Sequence, residues 1–535
     1  MGTIVALIAS IFISDGKAGS QTGEEAAPTV ERVAYVQNDS DQLMTEAAPD
    51  ETNTEAAHPQ PERWIGRIDL LGPQLDFAIS IELTEDGWVG TIDIPAQNVA
   101  GLPLKDIERT PTSLVFAAEL PGLPEINWPK WELQIAEFDT SASGVLLQSG
   151  MEFETTARLA DVDTPILERP QHPTAPLPYR TDEVTIPVEA ADEGQSPEGK
   201  AGHTLAGTLV LPDTDTFGAG PYPTAIFITG SGPQDRDETL MGHKPFLVVA
   251  DRLAKRGIAS LRCDDRGVGA STGDFESATT TDFAHDVRAQ VRFIGDRPET
   301  GSIGLIGHSE GGLVAPMVAA DTPAVEWLAL LAAPGVPGDA ILAEQIQSIF
   351  RAEGFDDEEA LTAMADAQQA SFEAMRAGNR DGAIEALTRL IRLQNDAAGA
   401  PNEPAALAQA ASDYFDTIDT PWFRAFLTID PRQALRVTSQ PVLILNGSLD
   451  TQVLPDQNVP EITKALADAG NDKVTIHVLD GLNHLFQPAQ TGALSEYGAI
   501  PTTFDEDTMV IIADWILGLE NEPGDEPPGS RPDDQ

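Results

Sequence analysis

The sequence predicts a two-part α/β chain: a small antiparallel β-domain, then a mostly parallel eight-stranded sheet with a helical cap inserted into it. Three observations predict this. Residues 63–168 carry short, alternating, β-rich runs with no helical stretch between them. From residue 183 onward, strand-like runs alternate with helical patterns, the signature of βαβ units. Residues 337–430 interrupt that alternation with helical periodicity throughout.

Taken in order, residues 4–13 form an apolar run too short to span a bilayer. It has the length of a signal-peptide core, and Gly16-Lys17-Ala18 offers a cleavage site, yet no Lys or Arg precedes it. Two readings follow: 1–18 is an export leader of a secreted or periplasmic protein, or the start has no targeting role and the protein is cytoplasmic. Residues 19–62 are rich in Glu, Ala, Thr, Asn and Pro and read as a disordered acidic linker. Strands are expected at 64–70, 75–83, 88–94, 114–120, 131–138, 145–148 and 151–159, with turns marked by Asp86-Gly87 and Pro121-Gly122. This describes a barrel or sandwich over 63–168. Its Trp64, Trp88, Trp128 and Trp131 read as core, with a ligand cavity as the other possibility.

Residues 169–182 hold Pro170, Pro173, Pro176 and Pro178 and read as a stiff linker. The α/β domain covers 183–336 and 431–520. Its strands are expected at 183–188, 204–211, 224–229, 258–263, 303–307, 327–331, 442–446 and 474–479. Its helices are expected near 243–256, 282–295, 310–320, 458–469 and 506–519. The segment 337–430 falls at the sheet edge where such folds bind ligands, so it reads as a cap. The Pro- and acid-rich tail, 521–535, reads as disordered.

Composition removes several function classes. With 32 Lys+Arg against 86 Asp+Glu, the net charge is -54, which opposes binding to nucleic acid or to an anionic membrane. The two acidic tails, 19–62 and 520–535, carry -14 of it, so the folded part is itself strongly acidic. Such a surface fits adaptation to salt, whose screening relieves self-repulsion, or simple solubility; stability that does not rise between low and molar NaCl excludes the first. The single cysteine, Cys263, rules out an intrachain disulfide and reads as core.

The strand at 303–307 runs into Gly307-His308-Ser309-Glu310-Gly311, and a helix follows. This is G-x-S-x-G in a strand–turn–helix context, which holds the serine at the sheet's carboxyl edge. A serine hydroxyl needs a base. His484 lies just after the last strand, and Asp450 follows the strand before it. Asp450 would orient His484, and His484 would take the proton of Ser309. The oxyanion would be held by the amide of Glu310 and by a second amide in Thr229-Gly230-Ser231-Gly232-Pro233-Gln234-Asp235-Arg236-Asp237, placed at Ser231.

With these residues, 183–520 resembles the α/β-hydrolase superfamily. The stretch 230–237 and Cys263-Asp264-Asp265-Arg266-Gly267-Val268-Gly269-Ala270-Ser271 are similar to those of bacterial serine carboxylesterases with an added N-terminal domain. The resemblance extends to dienelactone hydrolases and to the catalytic domain of prolyl-oligopeptidase-type peptidases. It implies a serine esterase acting on small-molecule esters, without cofactor or metal, whose first loop supplies the oxyanion hole. The histidine usual before the first glycine of that loop is Thr229 here. Asp264, Asp265 and Arg266 are expected to be structural, with Arg266 paired to a carboxylate under the site. His308 and Glu310 read as strand–helix packing, or as walls of the acyl pocket.

Other classes fit less well. Ser309 stands where dehalogenases of this fold need aspartate, and neither H-E-x-x-H nor G-x-x-x-x-G-K-[ST] occurs. An acylpeptidase or aminopeptidase of the prolyl-oligopeptidase type is the nearest enzymatic alternative, although such enzymes usually carry a long propeller. A non-catalytic ligand-binding protein on a hydrolase scaffold would have no need of a base aimed at Ser309. The cap points to short-chain esters.

Overall fold

The computed structural model describes residues 61–521, apart from 70–73, 86, 96–98, 121–127, 137–139, 149–150, 162–163, 165, 167–168 and 191–201. The apolar run at 4–13, the acidic stretch up to residue 60 and the tail from 522 lie outside the described residues. So do Leu70, Asp86, Pro121-Gly122 and Phe138. The described residues form two compact units, one of 61–93 and 101–164 and the other of 165–521, to which 94–100 are also assigned.

The first unit is a closed eight-stranded barrel of β1 (Glu62–Asp69), β2 (Gln74–Thr84), β3 (Gly87–Ile94), β4 (Val99–Thr110), β5 (Ser113–Ala118), β6 (Lys130–Ile135), β7 (Ser141–Gln148) and β8 (Met151–Ala160). Antiparallel pairing of β1 with β8 closes it, in the register Arg63↔Ala160. Alternation puts Trp64 and Ile68 of β1 inside, with Phe77 and Ile79 of β2, Phe116 of β5, and Trp131 and Leu133 of β6. Trp131 stacks on Phe116 with ring centroids 5.0 Å apart. Trp64 and Trp131 are therefore core, whereas Trp88 and Trp128 are half-exposed. The strand that sequence reading omits is β4. Gly101, Pro103 and four charged residues obscure its pattern, and its register slips between Lys105 and Glu108.

The second unit holds a sheet in the order β16-β15-β14-β13-β11-β12-β10-β9. Its strands are β9 (Arg180–Val188), β10 (His203–Leu211), β11 (Tyr222–Ile228), β12 (Ala259–Cys263), β13 (Thr300–His308), β14 (Val325–Leu331), β15 (Val442–Gly447) and β16 (Val474–Leu479). β9 and β10 are antiparallel to their neighbours, and β11 to β16 pair in parallel. Every residue of β12 and of β15 is buried, as expected where helices cover both faces. On one face lie α1 (Pro245–Ala254) and, after β16, α10 (Glu506–Asn521), around Phe246, Trp327 and Ile512. On the other lie α2 (Thr280–Gly295), α3 (Glu310–Ala319) and α9 (Pro455–Asp468), around Leu261, Val314 and Ile462.

The chain leaves β11 for β12 on one side and returns to β13 on the other. That reversal opens a crevice at the carboxyl ends of β11 and β13, where parallel sheets bind ligands. Between β14 and β15 comes the insertion: α4 (Gly338–Ala352), α5 (Glu358–Arg376), α6 (Arg380–Ala398), α7 (Pro404–Ile418) and α8 (Pro421–Phe426). It has its own core, including Leu342, Phe350, Met364, Phe372, Leu387, Phe415 and Phe423. No described helix is long and apolar enough to cross a membrane.

The Pro-rich segment 169–182 does more than space two units. Arg169 donates to the carbonyls of Ile500, Met241 and Gly498 at 2.9–3.0 Å. Gln171 pairs with the backbone of Phe504 through both ends of its amide and accepts from Thr503 N–H. The segment is thus fastened to the loop that follows β16.

Candidate active site

Ser309 sits between β13 and α3 with φ 51° and ψ -119°, a conformation non-glycine residues avoid. Its amide N–H donates to Leu331 O at 2.9 Å, which anchors the turn to β14. The turn is possible because its flanks lack side chains. A Cβ on Gly307 would lie 2.1 Å from Gly311 O, and one on Gly311 would lie 2.2 Å from Ile228 O. The G-x-S-x-G spacing thus reflects close packing of β11, β13 and the start of α3.

The structure brings Asp450 and His484 together: His484 Nδ1 lies 2.8 Å from Asp450 Oδ2, and both residues are buried. A carboxylate accepts, so Nδ1 carries the proton and Nε2 keeps its lone pair as a base. Asp450 is held by three further donors. Gln452 N–H and Val453 N–H reach Oδ1 at 2.8 and 2.9 Å, and Asn446 Nδ2 reaches Oδ2 at 3.1 Å. Asn483, next to His484, shapes its loop by accepting the amides of Leu485 and Gln487 at 3.0 Å. The His484 ring lies 4.8 Å, centroid to centroid, from that of His308, the neighbour of Ser309.

The loop after β11 also reaches the elbow. A Cβ on Gly230 would stand 3.3 Å from Ser309 Cβ. The amide of Gly230 is taken by Glu238 Oε1 at 2.7 Å. The next amide, Ser231 N–H, and the Glu310 N–H at the α3 terminus have no partner among the described residues. They are the two amides that the sequence reading named for the oxyanion.

The loop is zipped down by the acids after β12. Asp264 accepts the backbone N–H and the guanidinium of Arg236 at 2.9–3.0 Å. Burial disfavours the Asp264 carboxylate, but the Arg236 contacts outweigh this and hold its pKa below the ordinary value. Asp265 accepts Thr229 Oγ1 at 2.8 Å and Gln234 N–H at 3.0 Å. Burial nonetheless pushes its carboxyl well above the usual range. Thr229 thus helps to fasten the loop to Asp265. Arg266 pairs with Asp286 through two contacts of 2.7 Å, the structural role expected of it. Cys263 is buried, and that burial pushes its thiol up.

The flanking side chains do more than pack. His308 bridges Glu238 Oε1 (2.9 Å, from Nδ1) and His484 O (3.0 Å, from Nε2). The Glu310 carboxylate accepts Trp422 Nε1 of α8 at 2.8 and 2.9 Å, and Thr280 Oγ1 at 2.7 Å. The cap therefore touches the residue after Ser309. Sequence reading missed Glu238, Trp422, Asn446 and Asn483; no local pattern marks them. The described residues contain no cluster of three or more His, Cys, Asp or Glu suited to a metal ion.

Residues 244–370 match a family model described as serine aminopeptidase, S33. The chain is similar to esterase EstD of Thermotoga maritima, with 24% identity over 282 residues, covering 52% of this chain and 58% of that esterase. The chain thus spans little more than half the length of this relative. Among solved structures, the Pyrococcus furiosus esterase Pf2001 is 16% identical, with TM-score 0.38, over 64% of this chain and 93% of its own. The Mycobacterium smegmatis proline iminopeptidase is 16% identical, with TM-score 0.36, over 63% of this chain and 98% of its own. Its sheet order, its strand–turn–helix elbow and its inserted cap are those of the α/β-hydrolase fold.

Proposed function

We propose that this protein is a serine carboxylesterase that hydrolyses short-chain carboxylic esters through an acyl-enzyme. The observation that carries the reading is the buried His484–Asp450 pair set against the elbow that strains Ser309. Ser309 Oγ attacks the ester carbonyl while His484 Nε2 takes its proton. Negative charge then develops on the carbonyl oxygen, where Glu310 N–H and Ser231 N–H receive it, aided by the positive end of α3. His484 returns the proton to the departing alcohol. A water molecule, deprotonated by His484, attacks the acyl carbon and releases the acid, restoring Ser309. Asp450 holds the tautomer and stabilises the imidazolium in both halves.

Contact between Trp422 and Glu310 brings the cap within one residue of the nucleophile, which supports small acyl groups. Aminopeptidase or acylpeptidase activity is the second reading, favoured by the family description matched at 244–370. An aminopeptidase needs an anion for the substrate's ammonium group. The two glutamates nearest Ser309 are already engaged, Glu238 by Gly230 and His308, Glu310 by Trp422 and Thr280.

The test is hydrolysis of p-nitrophenyl acetate and butyrate by wild type and Ser309→Ala, with folding followed by circular dichroism. Turnover lost in the folded variant supports the reading. Turnover that survives excludes Ser309 as nucleophile, and wild-type turnover of aminoacyl-nitroanilides alone replaces the esterase by the peptidase.

A further inference from the structure

Glu238 takes no part in the reaction just described, yet it is placed at some expense. Its φ is 53°, a left-handed conformation that costs a non-glycine residue on the order of 1 kcal/mol. Its residue surface is only 4% exposed. Strain and burial together call for a compensating role.

One oxygen, Oε1, joins two parts of the site. It accepts Gly230 N–H at 2.7 Å, and it faces His308 Nδ1 at 2.9 Å. The far nitrogen of His308, Nε2, lies 3.0 Å from His484 O. A carbonyl only accepts, so Nε2 carries a proton; a carboxylate accepts as well, so Nδ1 carries another. His308 is then an imidazolium neutralising Glu238. Burial works against that charge, but Glu238 prevails and raises the imidazole above its ordinary value, with Asp450 adding a smaller contribution. A single buried chain thus runs from the oxyanion loop through Glu238 and His308 to the backbone of the base.

We propose that Glu238 and His308 are positioning residues, a second histidine–carboxylate pair that fixes the oxyanion donor Ser231 and the base His484 at working distance from Ser309. The inference rests on the esterase reading. By occupying Gly230 N–H, Glu238 leaves the next amide, Ser231 N–H, to face the developing oxyanion. By holding His484 O, His308 sets the loop that carries the base without touching its ring nitrogens. Neither residue reacts, so their loss weakens transition-state binding and leaves substrate binding largely alone.

The experiment compares wild type with Glu238→Gln, Glu238→Ala, His308→Gln and Ser309→Ala on p-nitrophenyl butyrate. It also measures Ki for a trifluoromethyl ketone that forms the tetrahedral adduct. Glu238→Gln keeps an acceptor and is expected to lose about 10-fold in kcat, and Glu238→Ala about 100-fold, within the range for a mis-set oxyanion donor. His308→Gln should fall between them. KM should stay within about 3-fold, and Ki should rise in step with the loss of kcat. A merely structural role would alter melting without tying Ki to kcat. Ser309-dependent turnover with kcat and Ki unchanged in Glu238→Gln and His308→Gln overturns the inference alone, even if Glu238→Ala does not fold. Wild-type turnover that is absent, or that survives Ser309→Ala, overturns the esterase reading and this inference with it.

Discussion

Replacing Asp450 with asparagine alters one heavy atom and should disable the base. The oxygen Oδ1 receives the amides of Gln452 and Val453 at 2.8 and 2.9 Å, so only a carbonyl oxygen fits there. The new NH2 group must then take the place of Oδ2, facing Asn446 Nδ2 and His484 Nδ1. Asn446 can adapt by turning its amide, whose Oδ1 is buried without a partner among the described residues, at the cost of its Nδ2 bond to Val453 O. His484 can adapt only by accepting at Nδ1, which moves its proton to Nε2. That tautomer cannot take the proton of Ser309. A wrong tautomer of this kind costs about 10^4 in kcat, ~5 kcal/mol of barrier. The assay is steady-state hydrolysis of p-nitrophenyl butyrate, with active sites counted by a burst and folding checked by circular dichroism. KM should be little changed. A folded Asp450→Asn protein with kcat within tenfold of wild type would refute the role given to Asp450 and the tautomer assigned to His484.

Three further outcomes are expected. Trp422→Phe removes the indole donor from the buried Glu310 carboxylate, leaving Thr280; urea denaturation should show a loss of about 1.5–3 kcal/mol, and KM for longer acyl esters should change more than KM for acetate. Arg266→Met leaves Asp286 without its bidentate partner and should destabilise by about 3–5 kcal/mol, with a loss below 1 kcal/mol counting against a structural pair. His243 is fully buried between Thr503 Oγ1 and Tyr497 O, and burial lowers its imidazole to about 4. Below its unfolded value of 6.5 the unfolded chain binds the proton more readily. Stability supplied by neutral His243 is therefore complete above pH 6.5 and lost as pH falls toward 4, on the order of 3 kcal/mol in all. A His243→Gln variant whose stability falls as steeply as wild type over that window would remove His243 as the cause.

What sequence reading reached was local. Ser309 is legible because strand, turn and helix are consecutive, and Asp450 and His484 because each closely follows a strand of the parallel sheet. Inner strands of that sheet such as β15 are legible as nearly continuous apolar runs because both faces are buried, and the partly exposed edge strands β9 and β16 are legible by their alternation. What it missed is made by distant partners. Trp422 meets Glu310 across 112 positions, and Glu238 meets His308 across 70; neither side of either pair carries a pattern in its own neighbourhood. His308 and Glu310 were open to a packing reading because residues beside a nucleophile are usually buried, and burial alone does not say which polar group each will find. The proline-rich 169–182 reads as a spacer because proline stiffens a chain, while the two side chains that fasten it, Arg169 and Gln171, look like ordinary surface residues.

That fastening decides where the molecule can be divided. A chain begun at Arg180, the first residue of the larger sheet, would keep every strand and every residue of the proposed triad. It would still lose the partners of the Ile500, Gly498, Met241 and Phe504 carbonyls and of the Thr503 and Phe504 amides. Those groups hold the stretch containing Tyr497, whose hydroxyl is 3.3 Å from Gln452 Nε2 beside Asp450. A division of the chain that keeps these hydrogen bonds therefore falls ahead of Arg169. The start of the larger unit is thus set by the hydrogen bonds of Arg169 and Gln171 rather than by its first strand.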